Sequence, residues 1–271
     1  LHNYVTIGYL KVEEIDIQHT MRNLTKEIYL NKRILPLGMQ TGKISTGSKL
    51  LDNFLSGGYE TDSITTIYGP SGSGKTNLCI LAAIAAIQAG KKVIYVDTEG
   101  GISVERLKQL SKNSEEILEA CLFLRPTSFR EQKECFEKIK SLTANHIGLI
   151  IIDTLGMHYR VERGQSYDPY ETDSSLGAQI AILGEIARKQ NIPVMISNQV
   201  YDNINGKGVK MVGGNLLIYA SKCLIELTKL HNSKRIAILR KHRSLPEDKE
   251  CCFQIVDEGI KETRLNQTTS E

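Results

Sequence analysis

The feature that most restricts this chain is the run Gly69-Pro70-Ser71-Gly72-Ser73-Gly74-Lys75-Thr76, which satisfies G-x-x-x-x-G-K-[ST] at every position. Its flanks fit as well. The segment from Ser63 to Tyr68 is β-rich and apolar, and residues 77–89 are almost wholly apolar and rich in helix formers. Strand, glycine loop and helix in that order are the setting this motif needs. The glycines let successive backbone N–H groups converge on one point, and the helix N-terminus adds partial positive charge. Such a loop cradles a triphosphate, so ATP with Mg²⁺ is the expected ligand. Lys75 is expected to reach the β- and γ-phosphates, and the Thr76 hydroxyl to ligate Mg²⁺. A chance glycine-rich turn is the rival reading, and the flanking strand and helix count against it.

The chain has 271 residues, room for one large α/β domain with a short appendage. Hydrophobic residues are 41% and charged residues 24%, as in an ordinary globular protein. No apolar run is long and unbroken enough to span a bilayer. The opening residues lack a basic segment followed by an apolar core, so a cytoplasmic location without membrane contact is expected. The cysteines form no C-x-x-C pair, and several lie in apolar segments. They read as buried thiols in a reducing compartment, without zinc-ligand spacing. The net charge of +3 is too small to point to nucleic acid by itself.

Residues 1–43 show mixed charge and no clear period. They are expected as a lead-in or linker, either a short helix or a disordered arm. The core is expected over residues 44–260, with a polar, frayed tail over 261–271. Residues 48–55 read as a short amphipathic helix and 92–96 as a buried strand ending at Asp97. Residues 103–120 read as a helix in two pieces, 121–126 as a strand stopped by Pro126, and 129–142 as an amphipathic helix. Gly148 to Asp153 is the clearest buried strand. Residues 156–173 are polar without a helical period and read as a loop. A helix over 174–190, a strand over 193–197 and a second loop over 201–214 follow. Further strands are expected over 221–228, 235–240 and 252–256, the first pair turned by Asn232 and Ser233. Strands alternating with helices and buried on both faces give an α/β fold. Its sheet is mostly parallel and lies between helix layers, with antiparallel strands added at one edge.

Asp153, at a strand's carboxyl end, would face the phosphate crevice and complete the Mg²⁺ site with Thr76. Glu99 follows the second strand on the same edge. It reads equally as a base for an attacking water or as a loop acid. Gln199 follows the next strand and reads equally as a γ-phosphate sensor or a turn amide. Two polar loops spring from this edge. Arg160 and Arg163 in the first are outnumbered by Glu162, Asp168, Glu171 and Asp173, though its tyrosines can stack on bases. Lys207 and Lys210 make the second loop basic. The stretch from Lys229 to Arg243 holds no acid, and its dense end, including Lys241 and Arg243, suits phosphate.

These motifs, in this order, resemble the RecA/RadA recombinases. The likeness rests on Gly69 to Thr76, Asp97-Thr98-Glu99-Gly100, Leu149 to Asp153, Ser197-Asn198-Gln199-Val200 and Val212-Gly213-Gly214. It runs from about residue 46 to residue 260. It is greatest to the archaeal RadB branch, which consists of the ATPase core alone. The runs Asn77-Leu78-Cys79-Ile80 and His242 to Glu247 sharpen that placement. The resemblance implies a RecA-like P-loop ATPase core in which Glu99 activates water, Gln199 senses the γ-phosphate and Arg106 lies over adenine. Residues 241–247 resemble the cap that covers ATP in a neighbouring subunit. Lys241, His242 and Arg243 lead it where the RadA type carries an acid, and they are expected to replace bound monovalent cations across an interface. Residues 1–43 are short for the family's helix-hairpin-helix domain, no F-x-x-A occurs, and the first loop is acidic. These departures argue against strand exchange and stable filaments.

The expected function is therefore that of an accessory protein in DNA repair and homologous recombination. It would bind ATP, hydrolyse it slowly, bind DNA (single-stranded in preference) and modulate a RadA-type recombinase or another recombination protein, with weak self-association at most. Two alternatives stand beside it. One is a nucleotide-switched protein-binding module with incidental hydrolysis, and the other is a KaiC-like signalling ATPase. Stimulation of turnover by DNA separates the first reading from the second. Salt-sensitive DNA binding counts against the third.

Overall fold

The structure, a computed structural model, describes residues 42–142, 146–202 and 209–264. The lead-in expected over residues 1–43 lies almost wholly outside the described residues, as does Lys207. The chain enters through β1 (Lys43–Ile44), α1 (Lys49–Phe54) and β2 (Tyr59–Glu60). The glycine loop then joins β3 (Ile64–Tyr68) to α2 (Lys75–Gln88). Next come β4 (Lys92–Asp97), α3 (Val104–Leu110), α4 (Ser114–Ala120), β5 (Cys121–Leu124), α5 (Phe129–Leu142) and β6 (Ile147–Asp153). After them run α6 (Gly156–Gln165), α7 (Pro169–Gln190), β7 (Val194–Asn198), β8 (Val200–Asp202), β9 (Val209–Met211) and α8 (Gly214–Ala220). The strands β10 (Cys223–Lys229), β11 (Lys234–His242), β12 (Glu250–Val256) and β13 (Gly259–Glu262) close the fold.

A nine-stranded sheet has the order β13-β12-β11-β10-β3-β7-β6-β4-β5. From β10 to β5 every neighbouring pair is parallel, and from β10 to β13 every pair is antiparallel. This is the expected mostly parallel sheet with antiparallel strands at one edge. The parallel part is apolar on both faces because helices cover both. In β6, Leu149 and Ile151 join the core packed around α2, while Ile150 and Ile152 join the core under α5 and α7. All four are 0% exposed. Side chains alternate across a strand, so one continuous apolar run feeds both layers. The helix α5 shows the complementary pattern: Phe129, Gln132, Phe136 and Ile139 are its buried residues, spaced along one helical face.

The turn between β10 and β11 forms at the expected pair. Asn232 and Ser233 both take positive φ (57° and 58°), as a two-residue type I′ turn requires. The His231 carbonyl accepts from the Lys234 N–H at 3.3 Å across them.

The loop expected over residues 156–173 is instead helical. It comprises α6 and the first turn of α7, which starts five residues before the expected position 174. Asp168 caps α7, accepting from the N–H groups of Tyr170 and Glu171, and Pro169 follows as the first helical residue. The polar composition hid α6 because only Gly156 and Tyr159 of that helix are buried. At the other end, β13 pairs with β12 as far as Glu262, beyond residue 260 where the core was expected to stop.

Deleting apolar volume from the layer shared by α2 and the sheet is expected to be costly. Ile151→Ala should lose about 2–5 kcal/mol of unfolding free energy in a denaturant titration. Leu142→Ala, at a side chain 45% exposed, should change it by no more than about 0.5 kcal/mol. Equal effects at the two positions would contradict the placement of this core.

Candidate nucleotide site

The strands β3, β4, β6 and β7 are parallel, so their carboxyl ends meet at one edge of the sheet. Tyr68 lies in register with Asn198, and Asp97 with Asp153. The glycine loop leaves β3 here, and the Gly69 N–H donates to the Asn198 carbonyl at 3.3 Å. A Cβ on Gly69 would sit 2.3 Å from the Leu227 carbonyl oxygen, so only glycine fits. Gly74 opens α2 in the left-handed region at φ 104°. No side chain caps α2, and its first turn holds no acid. Its first N–H groups are therefore left for an anion.

Lys75 is buried, and its Nζ donates to the carbonyls of Gly69 and Pro70 at 2.9 and 3.0 Å. Burial pushes its pKa down, while Asp153 and Glu99 pull it up. The Ser73 hydroxyl is buried against the same loop without a hydrogen-bond partner. Asp153 is 2% exposed. The Tyr95 hydroxyl donates to its Oδ2 at 2.8 Å, and the Ser197 hydroxyl donates to its Oδ1. Burial raises the Asp153 pKa, and hydrogen bonds with Ser197, Tyr95 and Thr76 pull it back. Thr76 and Asp153, singled out together from the sequence, thus lie close enough for the hydroxyl to favour the ionised carboxylate.

Glu99 Oε1 accepts from Gln199 Nε2 at 2.7 Å and from the Thr154 hydroxyl at 2.8 Å. Thr154 escaped the sequence reading, although its place directly after Asp153 was the signal. Thr98 fixes it in turn: the Thr98 hydroxyl donates to the Thr154 carbonyl and accepts from its N–H. A cleft of about 410 Å³ is lined by Gly74, Lys75, Thr76, Glu99, Arg106 and Gln199, together with Asn77, Ser103 and Ile255. The donor set fits a magnesium-bound triphosphate. It offers unpaired helix amides, a lysine, a hydroxyl beside a carboxylate, and an orphaned serine hydroxyl. Among the described residues no group of three or more His, Cys, Asp or Glu could hold a metal ion alone. A hydroxyl and a carboxylate sharing the ion with substrate phosphates is how Mg²⁺ is usually held.

A larger cleft, of about 890 Å³, lies elsewhere. Residues from both expected loops line it, including Arg160, Arg163, Tyr170, Tyr201 and Gly213. It holds no part of the glycine loop, so size does not mark the nucleotide site. Arg163 Nε donates to Asp173 Oδ1 at 2.8 Å, and the Tyr159 hydroxyl donates to the same oxygen at 2.6 Å. Lys210 lines an adjoining cleft with Tyr201 and Arg240. Lys241 Nζ donates to the Ile218 carbonyl at 2.7 Å. Arg243 donates to the Glu60 carboxylate and, at 2.8 Å, to Asp62 Oδ1. Lys241 and Arg243, both expected to meet phosphate, are thus engaged inside their own chain, as is Arg240 with Glu226 and Asp248.

Residues 39–263 match the Rad51 family. The chain belongs to that family. RadB members resemble it over nearly their whole length. The DNA repair and recombination protein RadB of Methanococcus maripaludis strain C7 is 44% identical over 213 residues, 78% of this chain and 97% of that one. RadB of Methanococcoides burtonii is 37% identical over 220 residues, 81% and 97% of the two chains. The crystal structure of the RadB recombinase matches with a TM-score of 0.71 at 37% identity, covering 82% of this chain and all of that one. The Rad51 family is one of nucleotide-binding ATPases, and the RecA-like architecture is the one expected from the motifs. Among the described residues no helix is long and apolar enough to cross a membrane.

In this Rad51-family site the tyrosine under Asp153 carries a pH signature. The folded pKa of Asp153 is raised, so its ionised form costs stability once the pH climbs above the ordinary value of 3.8. Tyr95→Phe removes a donor to the ionised form and raises that pKa further. Unfolding by denaturant should show a loss of about 1.5–3 kcal/mol at neutral pH. The loss should shrink as the pH falls and Asp153 becomes protonated in both states. A deficit that stays constant or grows toward acid would contradict the assigned bond.

Proposed function

We propose that this chain binds ATP with Mg²⁺ and hydrolyses it slowly. We propose too that it binds single-stranded DNA and serves DNA repair and homologous recombination by modulating a RadA-type recombinase. The observation that carries the reading is the meeting of Lys75, Thr76, Asp153, Glu99 and Gln199 beside an uncapped helix N-terminus. The repair and recombination role is supported by the relatives that carry that name.

Lys75 would exchange the Gly69 and Pro70 carbonyls for β- and γ-phosphate oxygens. The amides of the loop and of the first turn of α2 would hold the remaining charge. Thr76 and Asp153 would hold Mg²⁺, which supplies charge neutralisation between the two phosphates. Glu99 would take the proton of a water as its oxygen attacks the γ-phosphorus. The bond from that phosphorus to the bridging oxygen of ADP breaks, releasing ADP and inorganic phosphate. Glu99 Oε1 already accepts two hydrogen bonds, which weakens it as a base and fits slow turnover. The same contact favours a second reading, a switch in which Gln199 passes the nucleotide state to β8 and turnover is incidental.

Arg160, Arg163, Lys210 and, outside the described residues, Lys207 are the proposed DNA contacts. Tyr170 (81% exposed) and Tyr201 (52% exposed) offer stacking faces on the larger cleft. Lys241 and Arg243 would have to give up their present partners to reach a phosphate.

Lys75→Ala is expected to abolish ATP binding and phosphate release with an unchanged far-UV circular dichroism spectrum. Retained affinity and turnover would refute the phosphate-cradle assignment. In a single-strand titration, log affinity should fall linearly with log salt and differ between the ATP and ADP forms. DNA-stimulated phosphate release supports the accessory ATPase. Nucleotide-dependent partner binding without such stimulation supports the switch.

A further inference from the structure

Arg106 is held in this fold more tightly than a surface arginine needs to be. Its Nε donates to Asn77 Oδ1 at 2.8 Å. One terminal nitrogen donates to Gln109 Oε1 at 2.8 Å and to the Asp257 carbonyl at 3.2 Å. The other donates to the Val256 carbonyl at 2.8 Å and to the Gly259 carbonyl at 3.5 Å. Every N–H of the guanidinium is spent inside the chain, and none remains for a phosphate or for the edge of a base. What it can still offer is its flat face, in the same cleft as the glycine loop. A planar cation fixed in this way is a stacking platform.

The acceptors come from three places. The carbonyls belong to the hairpin of β12 and β13, Gln109 belongs to α3 with Arg106 itself, and Asn77 belongs to the first turn of α2, two residues after Lys75. Asn77 therefore ties the platform to the element that carries the phosphate loop. Its Oδ1 is engaged by Arg106, while its Nδ2 is buried without a partner. Leaving an amide donor buried and unpaired is unfavourable, and the bond that Oδ1 accepts from Arg106 offsets that cost.

We propose that Asn77 is a positioning residue: it orients the Arg106 guanidinium so that its face stacks on the nucleobase while the loop grips the phosphates. The inference rests on the ATP-binding reading above. Its signature is dependence on the base. A residue that merely supported the loop would affect every polyphosphate alike.

The test is calorimetric titration of the full chain in magnesium with ATP and, separately, with inorganic tripolyphosphate. The wild-type chain should bind ATP more tightly than tripolyphosphate. Asn77→Ala should weaken ATP by about ten-fold, the scale of a lost cation–π contact, and leave tripolyphosphate unchanged. The unchanged tripolyphosphate affinity also reports that the variant is folded. Asn77→Asp keeps the acceptor but adds an acid to the first turn of α2, so it should weaken both compounds alike and preserve the wild-type ratio of ATP to tripolyphosphate affinity. Unaltered ATP binding by Asn77→Ala overturns the proposal, as does an equal loss for both compounds in that variant or a failure of Asn77→Asp to keep the wild-type ratio of the two affinities. Tripolyphosphate binding as tightly as ATP to the wild-type chain removes the base platform while sparing the phosphate loop. Binding of neither compound to the wild-type chain sinks the nucleotide reading and this assignment with it.

Discussion

The fold turns on an uncapped helix N-terminus that is held where it is by burial at every side. Along α2, Leu78, Cys79, Ile80, Leu81, Ala82, Ala83, Ile84, Ala86 and Ile87 are all buried. The helix cannot tilt or slide without breaking the core it shares with β3, β4 and β6. Its free N–H groups are therefore fixed at the carboxyl edge of the parallel strands. Lys75 adds a buried cation whose partners are carbonyls of the loop itself. A neutral carbonyl is a poor match for an ammonium beside a phosphate, and that mismatch makes the arrangement receptive to an anion.

Around this terminus the other groups are arranged by strand register. Asp97 and Asp153 are register partners at the ends of β4 and β6. Asp153 is buried at a cost that Tyr95 and Ser197 offset by donating to it. One strand over, Gln199 follows β7 and reaches Glu99 beyond β4. Contacts between residues a hundred positions apart thus depend on the parallel order β7-β6-β4, which is itself set by apolar runs that must be covered on both faces.

Much of this was legible in the sequence because the signals are local and strong. A glycine loop between a β-rich run and an apolar run fixes strand, turn and helix together. The unbroken run from Leu149 to Ile152 can only be a strand buried on both faces. What stayed hidden depends on partners far along the chain. The helix α6 was unreadable because its polar residues face outward, although Asp168 and Pro169 were available as a start signal for α7. The engagement of Arg243 by Glu60 and Asp62 joins residues some 180 positions apart, and no spacing rule reveals it. Charge density marked Lys241 and Arg243 for phosphate, and the fold gives both of them partners within the chain. The contacts of Thr154, Tyr95 and Asn77 escaped notice for the same reason: each touches a residue it meets only after folding.

The measurement that tests the central claim most directly is a crystal structure grown with magnesium and a non-hydrolysable ATP analogue. The account predicts the β- and γ-phosphates against the amides of residues 72–76, with Lys75 Nζ moved from the Gly69 and Pro70 carbonyls onto phosphate oxygens. A nucleotide bound elsewhere, or a Lys75 that keeps its carbonyl partners while the analogue is present, would contradict it.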